Sequence, residues 1–470
     1  MSLPVLIHPR DREKIHRRLT PAFSASDRKT EEIVQEIIDR VRREGDRALI
    51  HYSRQFDAHP VTFPKALALR EDRLEHAWDQ TDPELRQALR RAQMRITRFH
   101  EQQRTKGFRL TESSGNRMTQ QVFPLRSVGL YVPGGMAAYP STVMMNLIPA
   151  QVAGVQTMVM VTPPSAPTSG HRATLATAFM CGIRTVFLVG GAQAIAALAY
   201  GTETIPRVDK VVGPGNRWVA TAKRLLYGHI DIDSVAGPTE VLILADHTAN
   251  PEHLAADMLA QAEHDPDAAA ILILIGSKVN LSAIQRAVAE QAKGAIRRDI
   301  IQRSLKKNGL IIRVRTAEVA VELANLRAPE HCEVITENAR ELAEQIRDAG
   351  AIFVGPWTPE PIGDYVAGPN HVLPTGRTAR FFSPLGVHDF VRRNHIIECS
   401  REGFLMLAST VRTLATAEGL ESHRLAVEMR LAAAEADVTA APAAGKSGDG
   451  SAARKARPRA RAARAVGGRV

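Results

Sequence analysis

Residues 185–200 read Thr-Val-Phe-Leu-Val-Gly-Gly-Ala-Gln-Ala-Ile-Ala-Ala-Leu-Ala-Tyr, an apolar, partly β-branched run that turns at two glycines into an alanine-rich segment. The run Thr185–Val189 predicts a strand buried on both faces, and Ala192–Tyr200 predicts a helix. The same texture recurs around it. Strands are expected at Val128–Val132, Met158–Thr162 and Lys210–Val212, and helices at His171–Met180 and Trp218–Leu226. A second series has strands at Val241–Ala245, Ile271–Ile275, Leu310–Val314, Cys332–Ile335 and Ile352–Val354, with helices between them. Strand–helix alternation with continuous apolar strands builds parallel sheets, so two series imply two α/β domains. A chain of 470 residues is also too long for one ordinary core.

Both ends of the chain read differently. Ile33, Ile37, Ile38 and Val41 keep helical spacing, and Pro83-Glu84 opens an amphipathic run through Phe99. Near the other end Glu402–Glu435 is helical, with Leu405, Ala408, Val411 and Leu414 on one side. That segment is too short to carry a core alone and must pack on something else, such as a second subunit. The net charge of +11 is concentrated in residues 438–470, where eight basic residues face Asp449 alone. This Ala/Gly/Pro/Ser/Arg stretch has almost nothing to bury and is expected to be a disordered basic tail. Nucleic acid is not expected as a partner beyond weak contacts of the tail.

No charged residue lies between Arg126 and Arg172, yet Pro133, Pro140, Pro149, Pro163 and Pro164, with Asn146, Gln151 and Gln156, interrupt that stretch. Buried strands and loops fit it better than a lipid-facing helix, so no membrane partner is expected. The N-terminus lacks the apolar core of a signal peptide. Cys181, Cys332 and Cys399 are far apart, with no CxxC pair. Together these readings favour a cytoplasmic location and exclude a thiolate zinc cage.

Several segments carry residue types suited to chemistry. There is no GxGxxG fingerprint, but Gly190-Gly191-Ala192-Gln193 sits at a strand-to-helix turn, where backbone amides can approach a phosphate. A tight packing turn would look the same, and so would the turn Gly213-Pro-Gly-Asn216. The helix opening at Pro251, capped by Asn250, has an inward stripe of Leu254, Met258 and Gln261, with His264 beyond it. An inward amide and imidazole need partners, either backbone groups or a shared metal ion. Ala328-Pro-Glu-His331 sets an acid beside a base where a loop meets a strand, and each could accept a proton or simply be solvated. A turn-rich loop over 355–371 embeds Asp364 and His371, and residues 417–423 begin the last helix, with Glu418 and His423 within about a turn and a half of each other.

Seven motifs in order across Val128–Arg424 resemble the histidinol dehydrogenase family: VGLYVPGG, GGAQAIAALAYGTETIPRVDKVVGPGN, AGPTEVLILAD, QAEHDP, APEH, GPWTPEPIGDYVAGPNHVLPT and AEGLESHR. The resemblance implies one zinc ion per subunit, held by Gln261, His264, Asp364 and His423. It implies NAD contacts from Tyr131, Gln193 and Asn216. Substrate contacts fall to Thr239, Gln261, His264, His331, Asp364, Glu418 and His423. The implied fold is two Rossmann-like parallel-sheet domains with small helical segments at both ends, in a domain-exchanged homodimer with composite sites.

The corresponding division is an N-terminal helical arm (1–25), a first α/β domain with the zinc and catalytic residues (26–130 and 238–383), and a second, NAD-binding domain (131–237). A C-terminal helical dimerisation segment (384–437) and the tail (438–470) complete it. Departures from the family pattern are Thr239 where many members have Ser, Arg327 before APEH where an aromatic is common, and the extra tail.

The implied reaction takes L-histidinol through L-histidinal to L-histidine with two NAD. His331 is expected to take the hydroxyl proton and Glu330 to activate water, a division that could be reversed. The alternative is a related zinc- and NAD-dependent dehydrogenase of another small diol.

Overall fold

The computed structural model describes residues 3–20, 28–134, 139–166 and 168–440. The basic tail lies outside them from residue 441 onward, as does Gly135 of the VPGG motif. The chain divides into two units, residues 1–107 with 121–394, and residues 108–120 with 395–470.

The strands, in chain order, begin with β1 (Val5–Ile7), β2 (Ala68–Arg70), β3 (Phe108–Thr111) and β4 (Arg117–Pro124). Next come β5 (Ser127–Tyr131), β6 (Thr157–Thr162), β7 (Thr185–Leu188), β8 (Lys210–Val212) and β9 (Asp231–Ile232). They continue with β10 (Glu240–Ala245), β11 (Ala269–Ile275), β12 (Leu310–Val314), β13 (His331–Ile335), β14 (Ala351–Val354) and β15 (Val391–Glu398).

The first unit holds two six-stranded sheets. One is ordered β1-β12-β11-β10-β13-β14 and is parallel throughout. The other is ordered β2-β7-β6-β5-β8-β9, with only the edge strand β2 antiparallel. Each sheet therefore has one point where the chain reverses the direction in which it adds strands: between β10 and β13, and between β5 and β8.

Side-chain alternation explains why both faces of these sheets are buried. In β10, Val241, Ile243 and Ala245 join one core while Leu242 and Leu244 join the core on the opposite face. In β5, Val128 and Leu130 face one way and Tyr131 the other. Burying each such Leu or Ile contributes about 1.5–3 kcal/mol, and helices on both faces supply the covering surface.

The helices over residues 28–101 pack elsewhere than expected. Val34, Ile37, Ile38 and Val41 of the helix Arg28–Glu44 join a core with Tyr131, Val159 and Phe187 of the second sheet. Leu89, Ala92 and Ile96 of the helix Pro83–Glu101 cover that sheet's other face with Leu130 and Met160. The helices between Arg28 and Glu101 and strand β5 thus belong with the second sheet and not with the first, residues 108–120 fall in the second unit, and a boundary at 130/131 cuts through β5. Helical periodicity shows which face a helix buries but not against which sheet.

The N-terminal arm is not purely helical either, because β1 adds to the edge of the first sheet beside β12. The C-terminal unit likewise contains strands, in a sheet ordered β15-β4-β3, besides the helices Arg401–Ala417 and Glu421–Ala440. Among the described residues no helix is long and apolar enough to cross a membrane, and all three cysteines are free.

Candidate active site

Tyr131 ends β5, Gly190-Gly191 follow β7 and Gly213 follows β8, so all three lie at carboxyl ends of second-sheet strands. This is where open α/β sheets hold ligands, and the β5/β8 reversal is the switch point. The Tyr131 hydroxyl accepts from Gly191 N–H at 3.3 Å, and burial pushes that phenol up to about 12. Gln193 is buried in the first turn of the helix Gly191–Tyr200.

Gly213 has φ +114°, and a Cβ there would lie 2.1 Å from the Tyr131 carbonyl oxygen, so only glycine fits. Its N–H donates to Asp233 Oδ2 at 2.8 Å and its carbonyl accepts from Lys223 Nζ at 2.8 Å, while Lys223 and Asp233 form a buried ion pair. Three residues on, Asn216 Oδ1 accepts from the N–H groups of Trp218 and Val219 and caps the helix Arg217–Leu226.

A second group of residues gathers at the β10/β13 reversal of the first sheet, but at the amino ends of the strands. Thr239 precedes β10, and Glu330 precedes β13, which opens on His331. The helix Ala317–Arg327 ends at Ala328 in a left-handed conformation (φ +48°), and Pro329 then turns the chain into the strand. Glu330 Oε2 lies 2.5 Å from Thr239 Oγ1 and accepts from Glu240 N–H at 3.0 Å. His331 Nδ1 lies 3.1 Å from the Glu240 carbonyl, which can only accept, so Nδ1 carries the proton. Nε2 is left with its lone pair free. It is buried without a hydrogen-bond partner, 3.9 Å from Asp364 Oδ1.

Burial drives these two neighbours in opposite directions. It lowers His331 to about 3 and raises Glu330 to about 8, in each case by disfavouring the charged form.

The helix Pro251–Ala262 begins as expected, with Asn250 Oδ1 accepting from Glu252 N–H at 2.9 Å and proline in the first turn. Leu254, Met258 and Gln261 are buried along it, and His264 follows its end. The Gln261 amide nitrogen donates to Glu360 Oε2 at 2.8 Å and Oε1 at 3.2 Å, and its oxygen faces Thr239 Oγ1 at 2.8 Å. Thr239 has one proton for two neighbours. A protonated Glu330 donating to Thr239 lets both contacts be hydrogen bonds.

His264, Glu360 and Asp364 each bring a ligating atom within 4.8 Å of the others. Burial raises Asp364 to about 6, and burial together with the carboxylates Asp364, Glu330, Glu333 and Asp257 raises Glu360 well above the usual range. Behind them Glu333 Oε1 accepts from Glu360 N–H at 2.9 Å, and burial and Asp257 raise Glu333 to about 8. His371 Nδ1 lies 2.9 Å from the Asp364 carbonyl, and its Nε2 lies 3.4 Å from Thr142 Oγ1 on a helix of the second sheet. The two halves of the first unit thus meet beside this cluster.

The structure therefore brings Thr239, Gln261, His264, Glu330, His331 and Asp364 together at one sheet reversal, and places Tyr131, Gln193 and Asn216 at the other. Glu418 and His423 belong to the second unit, where both are exposed on either side of the break at Gly419 (φ +68°). Sequence reasoning missed Glu360. Its signal was the spacing to Asp364, one helical turn apart in the short helix Glu360–Tyr365, which a loop reading of 355–371 concealed.

Residues 22–431 match the family model for histidinol dehydrogenase. The chain is 50% identical over 400 residues to the histidinol dehydrogenase of Aquifex aeolicus, covering 85% of this chain and 92% of that one. It is 50% identical over 398 residues to that of Thermosynechococcus vestitus, with 85% and 92% covered. Among solved structures, histidinol dehydrogenase from Elizabethkingia anophelis superposes with a TM-score of 0.85 at 33% identity, covering 92% of this chain and 99% of that one.

Proposed function

The chain belongs to the histidinol dehydrogenase family, and from its site we propose that it oxidises L-histidinol through L-histidinal to L-histidine, giving two hydrides to NAD. One observation carries the reading: a neutral His331 whose unpartnered, buried Nε2 faces Asp364, directly beside the buried Glu330. A base that is neutral at physiological pH stands next to an acid–base carboxyl, and both open onto a cluster of potential metal ligands.

The donors fit a zinc ion. Several carboxyls crowded together in a buried place each resist ionisation, and a divalent cation would relieve them all. Gln261, His264 and Asp364 would hold the ion with His423, which the exposed position of the second unit's helices makes available to another subunit. Glu360 braces the Gln261 amide. When bound, zinc supplies a Lewis acid that fixes the substrate's amine and imidazole nitrogens.

The chain's own residues then do the proton work. His331 Nε2 takes the hydroxyl proton as the first hydride leaves for NAD. Glu330, which a divalent cation nearby would help to ionise by offsetting its burial, then takes a proton from the water that adds to the aldehyde, and the resulting diol loses the second hydride. One water oxygen enters, two NADH leave and the remaining protons pass to solvent. Thr239 and Glu418 would contact the substrate, Glu418 from the partner chain. The turns bearing Tyr131, Gln193 and Asn216 would hold NAD at the second sheet, in a Rossmann-like manner that the reversal of strand order between β5 and β8 supports. A cytoplasmic location suits the unpaired cysteines.

Incubating the protein with L-histidinol and excess NAD should yield two NADH per alcohol consumed, and a chelator should abolish the reaction. One NADH with an accumulating aldehyde would contradict the two-step reaction. Turnover of another small diol in preference to histidinol would move the assignment to a related dehydrogenase.

A further inference from the structure

Glu240 touches both proposed acid–base groups through its backbone: its N–H donates to Glu330 Oε2 at 3.0 Å, and its carbonyl faces His331 Nδ1 at 3.1 Å. The position of this one residue therefore sets where Glu330 stands and which nitrogen of His331 is free. Its side chain is anchored separately. The carboxylate is almost fully buried, accepts from Gly376 N–H at 3.1 Å through Oε1, and forms an ion pair with the Arg327 guanidinium through Oε2.

Arg327 is itself buried, at the end of the helix that leads into Glu330, and also donates to the Leu19 carbonyl at 3.4 Å. The strap Thr375–Arg377 ties both sides together. Thr375 Oγ1 accepts from Gly237 N–H at 2.6 Å, just before β10, and Arg377 Nε donates to the Leu326 carbonyl at 3.3 Å. Arg377 does so from a left-handed conformation (φ +71°) that a non-glycine residue adopts only at a cost in strain.

A buried ion pair adds little stability over an apolar pair of the same volume, whereas it does demand one relative placement of its partners. Here the partners are the residue that holds Glu330 and His331 and the residue three places before Glu330. We propose that Glu240 and Arg327 are positioning residues, whose buried ion pair holds the Glu240 peptide groups in register with Glu330 and His331. This rests on the reading of Glu330 and His331 as the acid–base groups.

The test compares Glu240→Gln, Arg327→Met, the double variant and Arg327→Lys with wild type, measuring kcat, KM for histidinol and NAD, zinc content and the urea midpoint. Glu240→Gln and Arg327→Met should each lose about 10- to 100-fold in kcat, the usual cost of removing a group that orients a reacting one. Both KM values should stay within about threefold and zinc near its wild-type level, because uniform binding is untouched. Arg327→Lys should recover most of the loss. The double variant leaves no orphan charge, so its urea midpoint should return while kcat stays low; it also serves if a single variant fails to fold. Wild-type kcat in folded, zinc-loaded variants, or kcat returning with stability in the double variant, would overturn the proposal. Glu330→Gln and His331→Ala run alongside: if these stay active, it is the site reading that fails.

Discussion

His331 and Glu330 are adjacent in sequence and equally deprived of water, yet burial leaves both uncharged, one without its proton and one with it. The consequences for stability have opposite signs. His331 binds its proton less readily folded than at its ordinary 6.5, so stability is lost as pH falls below 6.5 towards about 3. Glu330 keeps its proton up to about 8 against an ordinary 4.5, so the unfolded chain releases a proton that the folded one retains. Stability from this group falls as pH rises between those values, by about 1.4 kcal/mol per unit at most. Glu330→Gln cannot ionise and escapes the loss. In chelator-treated protein, its melting temperature should differ least from wild type near pH 5, and any advantage should grow towards pH 8. A difference that stays constant over that range would mean that Glu330 is already ionised in the folded protein.

The helix Pro251–Ala262 shows how an element turns sequence spacing into a site. Asn250 and Pro251 fix where it starts, and three turns of apolar contact through Leu254 and Met258 fix its rotation. Gln261 is then carried into the interior, and His264 emerges just past the helix end. The opposing element is the short helix Glu360–Tyr365, whose first residue is held through its N–H by Glu333. If the two helices present a zinc site, Gln261→Ala and His264→Ala should each lower bound zinc as well as activity, by about tenfold or more in affinity. Full occupancy by metal analysis in both variants would remove these residues from the ligand set.

At the scale of the molecule, the C-terminal unit raises the question of what completes the site. Leu405, Met406, Leu414 and Met429 are exposed on its helices, apolar side chains that a single chain leaves in water. A dimer that exchanges this unit would cover them and bring Glu418 and His423 to a second subunit's cluster. Refolding an inactive His331→Ala chain together with an inactive His423→Ala chain tests this. Half of the randomly paired dimers are mixed, and one site in each then combines an intact His331 with an intact His423. About a quarter of wild-type activity should therefore return. Verified mixed dimers without activity would mean that each subunit builds its site alone.

Most elements of the two α/β sheets, and the residue pairs proposed for the site, can be read along the chain. Every strand of the two alternating series was legible because buried parallel strands are continuous apolar runs, and their observed ends differ from the reading by two residues at most. The Gln261–His264 pair and the Glu330–His331 pair were legible because each lies within one local stretch. Whatever depends on non-local contacts came from the fold. The helices of residues 28–101 joined the second sheet, since an apolar stripe does not specify its partner. β1, β2 and β9 were too short to stand out before a neighbouring strand paired with them. Glu360 and Glu240 looked like ordinary acids until folding removed the water around them and set them against Gln261, Arg327 and His331. Desolvation and hydrogen bonding between residues 91 apart in the chain set the surroundings of such groups, and neither is a property of local sequence.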